Sequence, residues 1–433
     1  MPTSRRPHLL YVSPTWPRPT GNGLAMRAYR VLEALSYRYR VSLLTNQAGP
    51  VDVDAGSAVA SLCEHVTVLR ADRVSVSSLP RHALRWLHLG AYHAWYRQPT
   101  EWYTVSRQDR ALLSATYANV PFDLVHVFRL FSLPLWHALP ASAVATPAQL
   151  DIDDVESVTR ERLAALAERN GDTRLAYAMR RDVDAYRRIE RRDLERFVRV
   201  FVCSETDRCR FADSSLRVDV IPNIVDVGDI ARCAGRDASH PFVFLFVGSL
   251  TYYPNQDAAA FFCRDVAPLI RQMAPGPFEI RMVARGSEQA WQAVPDIPEI
   301  RREPLQGTLA DEYRKADAVI VPTRAGGGTR IKTLEAFAFQ KAVVSTAIGV
   351  EGLDVQADEH ALVGDSAADF AAHCVRLMRQ PALRTRLAER AFALVTASYS
   401  PGALRRRLDE VDGLAPETTS ADCAPARPDV RKP

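Results

Sequence analysis

Short apolar segments alternate with helical patterns in the first half of the chain, and together they predict a parallel β-sheet. An apolar strand pattern covers residues 8–13, a Pro/Gly-rich loop 14–23, a helical pattern 24–35 and a second strand pattern 41–44. A strand, loop, helix and strand in this order form a βαβ unit, which needs a right-handed crossover and a parallel sheet. Further short strands are predicted at 66–69, 124–128, 149–152 and 198–203.

The same alternation starts again after a polar, turn-rich stretch, which predicts a second α/β unit. Its strands are expected at 242–247, 278–284, 318–321 and 342–345, and its helices at about 256–272, 329–339, 367–379 and 383–397. We therefore predict the α/β fold class, with two Rossmann-like domains facing each other across a cleft. The predicted divisions are an N-terminal domain at 1–222, an interdomain linker at 223–240, a C-terminal domain at 241–398, and a C-terminal helix with a disordered tail at 399–433.

The composition is that of a globular protein with room for two cores, since 433 residues are 47% hydrophobic and 24% charged. The 55 Lys and Arg residues nearly balance the 51 Asp and Glu residues, so no nucleic-acid partner is expected. Seven cysteines form no C-x-x-C pair, which argues against a disulfide framework and a zinc site. The N-terminus lacks a signal-peptide core, and no apolar run reaches the roughly 18 to 20 residues of a spanning helix. We expect a cytoplasmic protein, with any membrane contact peripheral and at the inner face.

Two segments have patterns that favour more than one interpretation. Residues 81–103 are rich in Trp, His, Tyr and Arg. Such an aromatic stripe is typical of core-facing helices, but it also fits an amphipathic surface that contacts a lipid interface or a lipid-linked acceptor. Residues 157–199 interleave Arg with Asp and Glu, which predicts a solvated helix with weak ion pairs. Nucleic-acid binding is disfavoured there because the acids interrupt the basic face.

The segment GGGTRIKTLE, residues 326–335, is the strongest candidate for chemistry. Three glycines after a predicted buried strand let backbone N–H groups approach a ligand, and Thr329 is expected to cap the following helix. Arg330 and Lys332 lie in the first turn, where positive charge opposes the helix dipole unless an anion such as a diphosphate is bound. Glu335, among apolar residues, needs a partner such as a pair of sugar hydroxyls. An ion pair between Lys332 and Glu335 is the alternative.

Several segments resemble the retaining GT-B glycosyltransferases of family 4, the glycosyl transferases group 1. They are the N-terminal SPTWPRPTGNG loop, CSETD at 203–207, VIPNIVD at 220–226, FLFVGSLTYYPN at 244–255, and YRKADAVIVPTRAGGGTRIKTLEAFAFQKAVVST at 313–346. The resemblance extends from Leu9 to about Ala397. It implies the GT-B fold, a nucleotide-sugar donor on the C-terminal lobe, a glycan, lipid-linked or small-molecule acceptor on the N-terminal lobe, and closure of the cleft for transfer. It implies no metal or other cofactor.

The resemblance also implies roles for single positions in the glycine loop. Glu335 matches the second glutamate of the family's E-x7-E motif, which implies contact with the ribose of the donor. The first glutamate position falls on Gly327. Backbone N–H groups of Gly327 and Gly328 are therefore expected to contact the donor in place of a carboxylate, beside Thr329.

A second departure concerns the arginine and lysine that often hold the diphosphate in this family. In this chain Ser249 and Asn255 occupy those positions. Gly248, which precedes Ser249, and Asn255 are still predicted to contact the donor. We infer that Arg330 and Lys332 supply the phosphate charge, with Arg285 at a predicted strand end. These cationic side chains are expected to stabilise the negative charge of the leaving nucleoside diphosphate.

The N-terminal loop is a further candidate for donor binding. Gly21, Asn22 and Gly23 resemble the family's Gly-Gly loop with an Asn between the glycines. The loop is expected to approach the donor diphosphate from the other lobe, with assistance from Arg27. A plain tight turn is the alternative.

An acidic cluster at 151–156 follows a predicted strand. Taken alone, its D-x-D pattern fits a divalent metal on a nucleotide sugar, but the two-lobe order favours a metal-independent enzyme. Asp153 or Asp154 is expected to orient the acceptor hydroxyl or to accept its proton. The alternative is that Asp154 caps the next helix.

Together these features predict a retaining, metal-independent glycosyltransferase with Arg330, Lys332 and Asp153 as its catalytic residues. The chain has neither a G-x-S-x-G elbow nor a P-loop lysine, so a hydrolase or an NTPase is disfavoured. The alternatives are a nucleotide-sugar epimerase or sugar phosphorylase on the same fold, and a non-catalytic nucleotide-binding or assembly subunit. The last is motivated by Gly327, Ser249 and Asn255 at positions where polar or charged residues are expected.

Overall fold

The computed structural model describes residues 6–47, 58–70, 99, 105–227, 241–285, 288–303 and 309–411. Within these ranges the chain forms two parallel sheets with helices packed against them, so the predicted α/β fold class is confirmed. The aromatic segment 81–103 lies outside the described residues except for Pro99, and the predicted tail from 412 onward lies outside them entirely. In the described ranges no helix is both long and apolar enough to cross a bilayer.

The first lobe contains a seven-stranded sheet in the order β3-β2-β1-β4-β5-β6-β7. Its strands are β1 (His8–Ser13), β2 (Arg40–Gln47), β3 (His65–Arg70), β4 (Leu124–Phe128), β5 (Ala148–Asp153), β6 (Arg199–Val202) and β7 (Val218–Val220). The α-helices that the structure describes in this lobe are α1 (Gly23–Ser36), α2 (Arg107–Tyr117), α3 (Leu133–His137), α4 (Ala141–Val144), α5 (Glu156–Arg169), α6 (Thr173–Asp193) and α7 (Glu205–Arg208).

The second lobe contains a six-stranded sheet in the order β10-β9-β8-β11-β12-β13. Its strands are β8 (Phe242–Ser249), β9 (Phe278–Arg285), β10 (Ile300–Glu303), β11 (Ala318–Val321), β12 (Ala342–Ser345) and β13 (Leu362–Val363). The α-helices described for this part of the chain are α8 (Tyr253–Phe261), α9 (Ala267–Met273), α10 (Glu288–Gln292), α11 (Leu309–Lys315), α12 (Ile331–Ala338), α13 (Ala347–Val350), α14 (Ala367–Arg379), α15 (Pro381–Ser398) and α16 (Pro401–Val411). A π-helical turn at Phe262–Val266 connects α8 to α9.

Strand β1 shows why the central strands are continuous apolar runs. Leu9 and Tyr11 are fully buried in one hydrophobic cluster, whereas Leu10 and Val12 are fully buried in another on the opposite face of the sheet. A parallel strand covered on both faces needs apolar side chains in both directions. This is the reason that the strand pattern was detectable in the sequence.

The predicted helical region at 157–199 divides into α5 and α6. Gly171 between them has a φ of 77°, a left-handed conformation that glycine adopts without steric cost. The carboxylate of Asp172 then accepts a hydrogen bond of 2.9 Å from the Leu175 N–H and so caps α6. The two helices form a hairpin at the side of the cleft, which the sequence pattern did not predict.

The last described helix, α16, crosses back to the first lobe. Leu404, Leu408 and Val411 join the first-lobe cluster that contains Leu9. The Val225 N–H, after the first crossing between lobes, donates a hydrogen bond of 3.0 Å to the Tyr399 carbonyl just before the second crossing. The two crossing segments therefore lie side by side.

Candidate functional site

In the second sheet, successive strands are added on one side of β8 up to β10 and on its other side from β11 onward. The loops after the neighbouring strands β8 and β11 therefore open into one crevice. Lys332 Nζ donates a hydrogen bond of 2.6 Å to Asn255 Oδ1, and Asn255 Nδ2 donates one of 2.8 Å to the Ser249 carbonyl. A Cβ on Gly248 would lie 3.0 Å from Asn255 Nδ2, so the glycine allows this close approach. The structure thus joins two segments that the sequence placed about 80 residues apart.

Arg330 occupies the N-cap position of α12, and the cap has no side-chain hydrogen bond. The prediction that Thr329 caps this helix is therefore wrong. One terminal nitrogen of Arg330 donates to the Gly327 carbonyl. Its Nε and Nη2 are shielded from solvent and have no hydrogen-bond partner among the described residues. A guanidinium at this end of α12 opposes the helix dipole, so an anion is the ligand that the position favours.

Lys332 and Glu335 lie on the first turns of α12 and have strongly shifted pKa values. Burial, with a smaller contribution from Arg330, lowers the pKa of Lys332 to about 7. Burial raises the pKa of Glu335 to about 7, with Lys332 opposing the shift. Lys332 bonds to Asn255 rather than to Glu335, so the ion pair proposed as an alternative does not form. The Glu335 carboxylate keeps its acceptor capacity for a ligand.

The glycine loop lies against the first lobe. A Cβ on Gly327 would overlap the Thr159 hydroxyl and the Asp154 carboxylate, and a Cβ on Gly328 would lie 3.2 Å from Asp154 Cβ. Gly326 has a φ of 129°, which restricts that position to glycine. The glycines thus permit close contact between the lobes, a function that the sequence pattern did not indicate.

The N-terminal loop also reaches the second lobe. Asn22 caps α1 by accepting a hydrogen bond of 2.8 Å from the Ala25 N–H. A Cβ on Gly23 would lie 2.9 Å from Ile331 Cδ1, at the start of α12. Gly21 has a φ of 124° and open space around it. The loop therefore borders the first turn of the helix that contains Lys332.

Arg27 is held inside the first lobe. Its guanidinium donates to both carboxylate oxygens of Asp151, at 2.8 and 3.1 Å, and to the Ile221 carbonyl at 3.0 Å. Arg27 and Asp151 are both buried. Because these groups satisfy each other, the predicted assistance of Arg27 to a diphosphate receives no support from its contacts.

Asp153 ends β5 with a φ of 61°, a strained conformation for a residue other than glycine. Its Oδ2 accepts from Arg129 at 2.9 Å, and its Oδ1 accepts from Asn223 at 3.0 Å. Burial raises the pKa of Asp153, although Arg27 and Arg129 act in the opposite direction. Its side chain is 15% exposed, against 8% for Asp154, so Asp153 is the more accessible carboxylate.

Asp154 has a different environment. Its carboxylate accepts from Arg129 and, at 2.7 Å, from the Thr159 hydroxyl. Burial acts to raise the pKa of Asp154, but Arg129 and Thr159 lower it overall. The N-cap of α5 is Val155 and has no side-chain hydrogen bond, so the capping alternative for Asp154 is wrong. The carboxylate oxygens of the D-x-D pattern face guanidinium and amide donors and do not face one common metal position.

Arg129 is the centre of this first-lobe cluster. Its guanidinium contacts the carboxylates of Asp153, Asp154 and Glu156, and its own backbone has a φ of 69°. The surrounding carboxylates hold the pKa of Arg129 well above its usual range despite burial. Its place near a strand end was visible in the sequence, but its three partners were not.

Asn223 joins the two lobes at the start of the first crossing segment. Its Nδ2 donates to Asp153 in the first lobe and, at 2.9 Å, to the Thr329 hydroxyl in the second. Its Oδ1 accepts from Arg27 at 3.3 Å. Thr329, predicted to contact a donor, thus bonds to the connection between lobes. Arg285 is the last residue of β9 and is aligned with Ser249 on β8, at the carboxyl edge of the sheet.

Residues 241–380 match the family model described as glycosyl transferases group 1. The second lobe is similar to the group 1 glycosyltransferases. The matched range contains every candidate of the second lobe, from Gly248 to Glu335. No curated protein sequence matches the chain.

Solved structures of GT-B proteins are similar over nearly the whole chain, and the predicted GT-B fold is confirmed. A sucrose-phosphate synthase from Thermosynechococcus elongatus has a TM-score of 0.61 at 16% identity, covering 94% of this chain and 98% of its own. A glycosyltransferase from Rickettsia africae has a TM-score of 0.60 at 12% identity, covering 94% and 97%. HepE from Anabaena, in complex with UDP and glucose, has a TM-score of 0.58 at 13% identity, covering 94% and 100%.

Proposed function

We propose that this protein is a retaining glycosyltransferase that transfers a sugar from a nucleotide-diphospho-sugar to a hydroxyl group of an acceptor. The observation that supports it best is the arrangement on α12. Two cations, Arg330 and Lys332, stand at the helix start, and the Glu335 carboxylate lies one turn further on. A nucleotide sugar offers the matching groups in the same order, an anionic diphosphate and a ribose with vicinal hydroxyls.

The diphosphate binds between the two cations and the loop after β8. Two guanidinium nitrogens of Arg330 have no hydrogen-bond partner in the part of the chain that the structure describes, and Lys332 is fixed by Asn255. These cations stabilise the charge that develops when the diphosphate leaves, and no protein rearrangement is needed at that moment. UDP-sugars are the first donors to test, since the structurally similar HepE was crystallised with UDP and glucose.

The chemical step breaks the bond between the anomeric carbon and the diphosphate oxygen, and the electron pair leaves with the diphosphate. A new bond forms between the same carbon and the acceptor oxygen on the face from which the diphosphate departs. Asp153 takes the proton of the acceptor hydroxyl, because its burial raises its pKa and makes it a stronger base than an exposed carboxylate. Arg129 and Asn223 hold that carboxylate in place.

A screen of UDP-, GDP-, ADP- and TDP-sugars tests the proposal by release of free nucleoside diphosphate with and without glycan, lipid-linked and small acceptors. We expect one donor to be consumed in the presence of an acceptor, equally well with and without EDTA. Donor consumption without any acceptor would favour an epimerase. Binding without turnover would favour a non-catalytic subunit, and the failure of all four nucleoside diphosphates to raise the melting temperature at millimolar concentration would reject the donor site.

Variants distinguish the site from a general effect of charge. Arg330→Gln and Lys332→Gln should each reduce turnover by about tenfold or more, since each removes a charge-assisted hydrogen bond to the leaving group. Arg390→Gln is the matched control, because Arg390 pairs with Glu359 on an exposed face of the same lobe. Unfolding of both active-site variants would instead point to a structural role.

A further inference from the structure

An open pocket of about 210 Å³ lies where the chain crosses between the lobes. Its walls are formed by α1, by the first crossing segment and by the first turns of α16. None of the residues that line it belongs to the candidate site on α12 or to the cluster around Asp153. A cavity of about 150 Å³ holds a benzene molecule. The pocket therefore has room for one six-membered ring with its substituents.

The floor of the pocket is apolar and belongs to the core of the first lobe. Ala34 of α1, Ile224 of the crossing segment and Leu404 of α16 line it, and all three are buried in the hydrophobic cluster that contains Leu9. Packing against this core fixes the three elements relative to one another. The pocket is thus formed before any ligand binds.

Arg30 lies in the wall and is only 9% exposed. Its Nη1 donates a hydrogen bond of 3.1 Å to Glu33, and its Nη2 donates one of 3.2 Å to Asp226. Both carboxylates also line the pocket, so two acceptors share one cation there. The Nε of Arg30 is shielded and has no hydrogen-bond partner within the described ranges. A buried polar group of this kind is a position where a ligand gains a hydrogen bond.

Tyr37 and Arg405 form the rim. Tyr37 is 58% exposed, and the guanidinium carbon of Arg405 lies 4.8 Å from the centre of its ring. In the part of the chain that the structure describes, neither the Tyr37 hydroxyl nor the Arg405 guanidinium makes a hydrogen bond or an ion pair. The rim therefore offers an aromatic surface and several hydrogen-bond donors to a ligand.

We propose that this pocket binds a small saccharide. Two guanidinium groups and two carboxylates line it, so their formal charges cancel, and a free anion or a free cation would meet like charges as well as opposite ones. Guanidinium groups only donate hydrogen bonds and carboxylates only accept them, whereas each sugar hydroxyl does both. The apolar floor and the Tyr37 ring suit the C–H groups of a pyranose. The inference goes beyond the proposed function and does not depend on it.

Titration of the full chain with D-glucose, D-galactose, D-mannose and N-acetyl-D-glucosamine, followed by saturation-transfer NMR, tests the proposal. For a ligand of about twelve non-hydrogen atoms we expect a Kd in the millimolar range. Arg405→Ala and Tyr37→Ala should each raise the Kd by about fivefold or more, because each removes one contact of the rim. Tyr37→Phe serves as a further variant if an alanine variant does not fold.

Two control variants locate the bound sugar. Arg406→Ala should leave the Kd unchanged, because Arg406 is the exposed neighbour of Arg405 on α16 and does not line the pocket. Arg330→Gln should also leave it unchanged, because Arg330 lies at the start of α12. A sugar that binds in the crevice would show the opposite pattern, with a loss in Arg330→Gln and none at the rim.

The outcomes separate this inference from the proposed function. A sugar affinity that depends on Arg405 and Tyr37 supports the pocket even if no nucleotide sugar is turned over. If all four sugars fail to bind at concentrations up to about 50 mM, the saccharide assignment is wrong while the donor site stands or falls on its own tests. Equal affinities in the parent protein and in both rim variants would also reject it. Binding of acetate or glycine in place of the sugars, lost in Arg405→Ala, would assign the pocket to a carboxylate ligand instead.

Discussion

Gly327 of the second lobe lies so close to Thr159 of the first that a Cβ on the glycine would overlap the threonine hydroxyl. The contact joins the two lobes, and it puts a steric requirement on a position where the family resemblance leads one to expect a glutamate. The glycine therefore affects the protein through the geometry of the cleft, in addition to any contact of its N–H with a ligand.

Gly327→Ala should hinder closure without unfolding either lobe. Forcing a methyl group into a packed contact costs about 1 to 3 kcal/mol, which is roughly a fivefold or larger loss of the closed population. We expect kcat to fall by a similar factor while the melting temperature changes little. Gly276→Ala is the control, since a Cβ there meets no atom within 4 Å. Equal activity of the two variants would show that the contact at Gly327 has no effect on turnover.

The protein should take up protons when it binds a nucleotide at alkaline pH. The pKa of Lys332 in the free protein is lowered to about 7, so the amine is mostly neutral at pH 8. A bound diphosphate favours the ammonium form and raises this pKa, so binding at pH 8 draws a proton from the buffer. Calorimetry in buffers of different ionisation enthalpy measures the uptake. It should be absent in Lys332→Met, and uptake that persists there would assign the proton to another group.

Glu335→Gln should weaken the binding of nucleoside diphosphates more than the binding of pyrophosphate. A carboxylate that accepts two ribose hydroxyls contributes about 1.5 to 3 kcal/mol, so the Kd of the nucleoside diphosphate should rise by roughly tenfold or more. Pyrophosphate lacks the ribose, and its affinity should fall little or even increase. Glu359→Gln is the control, because Glu359 pairs with Arg390 at the surface. Parallel losses for both ligands would place Glu335 in contact with the phosphates or in the fold.

Asn223→Asp should shift the pH dependence of turnover. The substitution keeps the shape of the side chain but replaces an N–H donor to Asp153 by a negative charge beside it. A like charge raises the pKa of Asp153 further, so the acid limb of the kcat profile should move to higher pH. Asp153→Asn should remove that limb together with most of the activity. An unshifted limb in Asn223→Asp would show that it belongs to a different group.

Arg129→Met should destabilise the first lobe strongly. It leaves three carboxylates, those of Asp153, Asp154 and Glu156, without their shared cation. Removing one partner of a buried ion cluster costs about 3 to 5 kcal/mol. Arg187→Met is the control, because its pair with Glu161 is exposed and such pairs contribute about 1 kcal/mol or less. Urea unfolding measures both, and similar midpoints would contradict the structural importance of the cluster.

The order of strands and helices was predictable because it depends on local periodicity. The strand pattern of residues 8–13 matches β1, and the residues of β11 and β12 were also anticipated. The α12 segment was identified from glycines, cations and a carboxylate within ten positions of each other. Its capping residue was misassigned, since Thr329 turns its hydroxyl to Asn223 instead of to the helix.

The sequence by itself determined two α/β units, the anion-favouring start of α12 and the departures at Gly327, Ser249 and Asn255. Only the tertiary structure decided which groups face each other across the cleft. Arg162 and Glu351 are 189 positions apart, and Asn223 and Thr329 are 106 apart. Periodicity reports which face of an element is buried over a few turns. Pairing between lobes depends on how two complete sheets are placed, and that placement brings Thr159 and Asp154 onto a loop whose glycines make room for them.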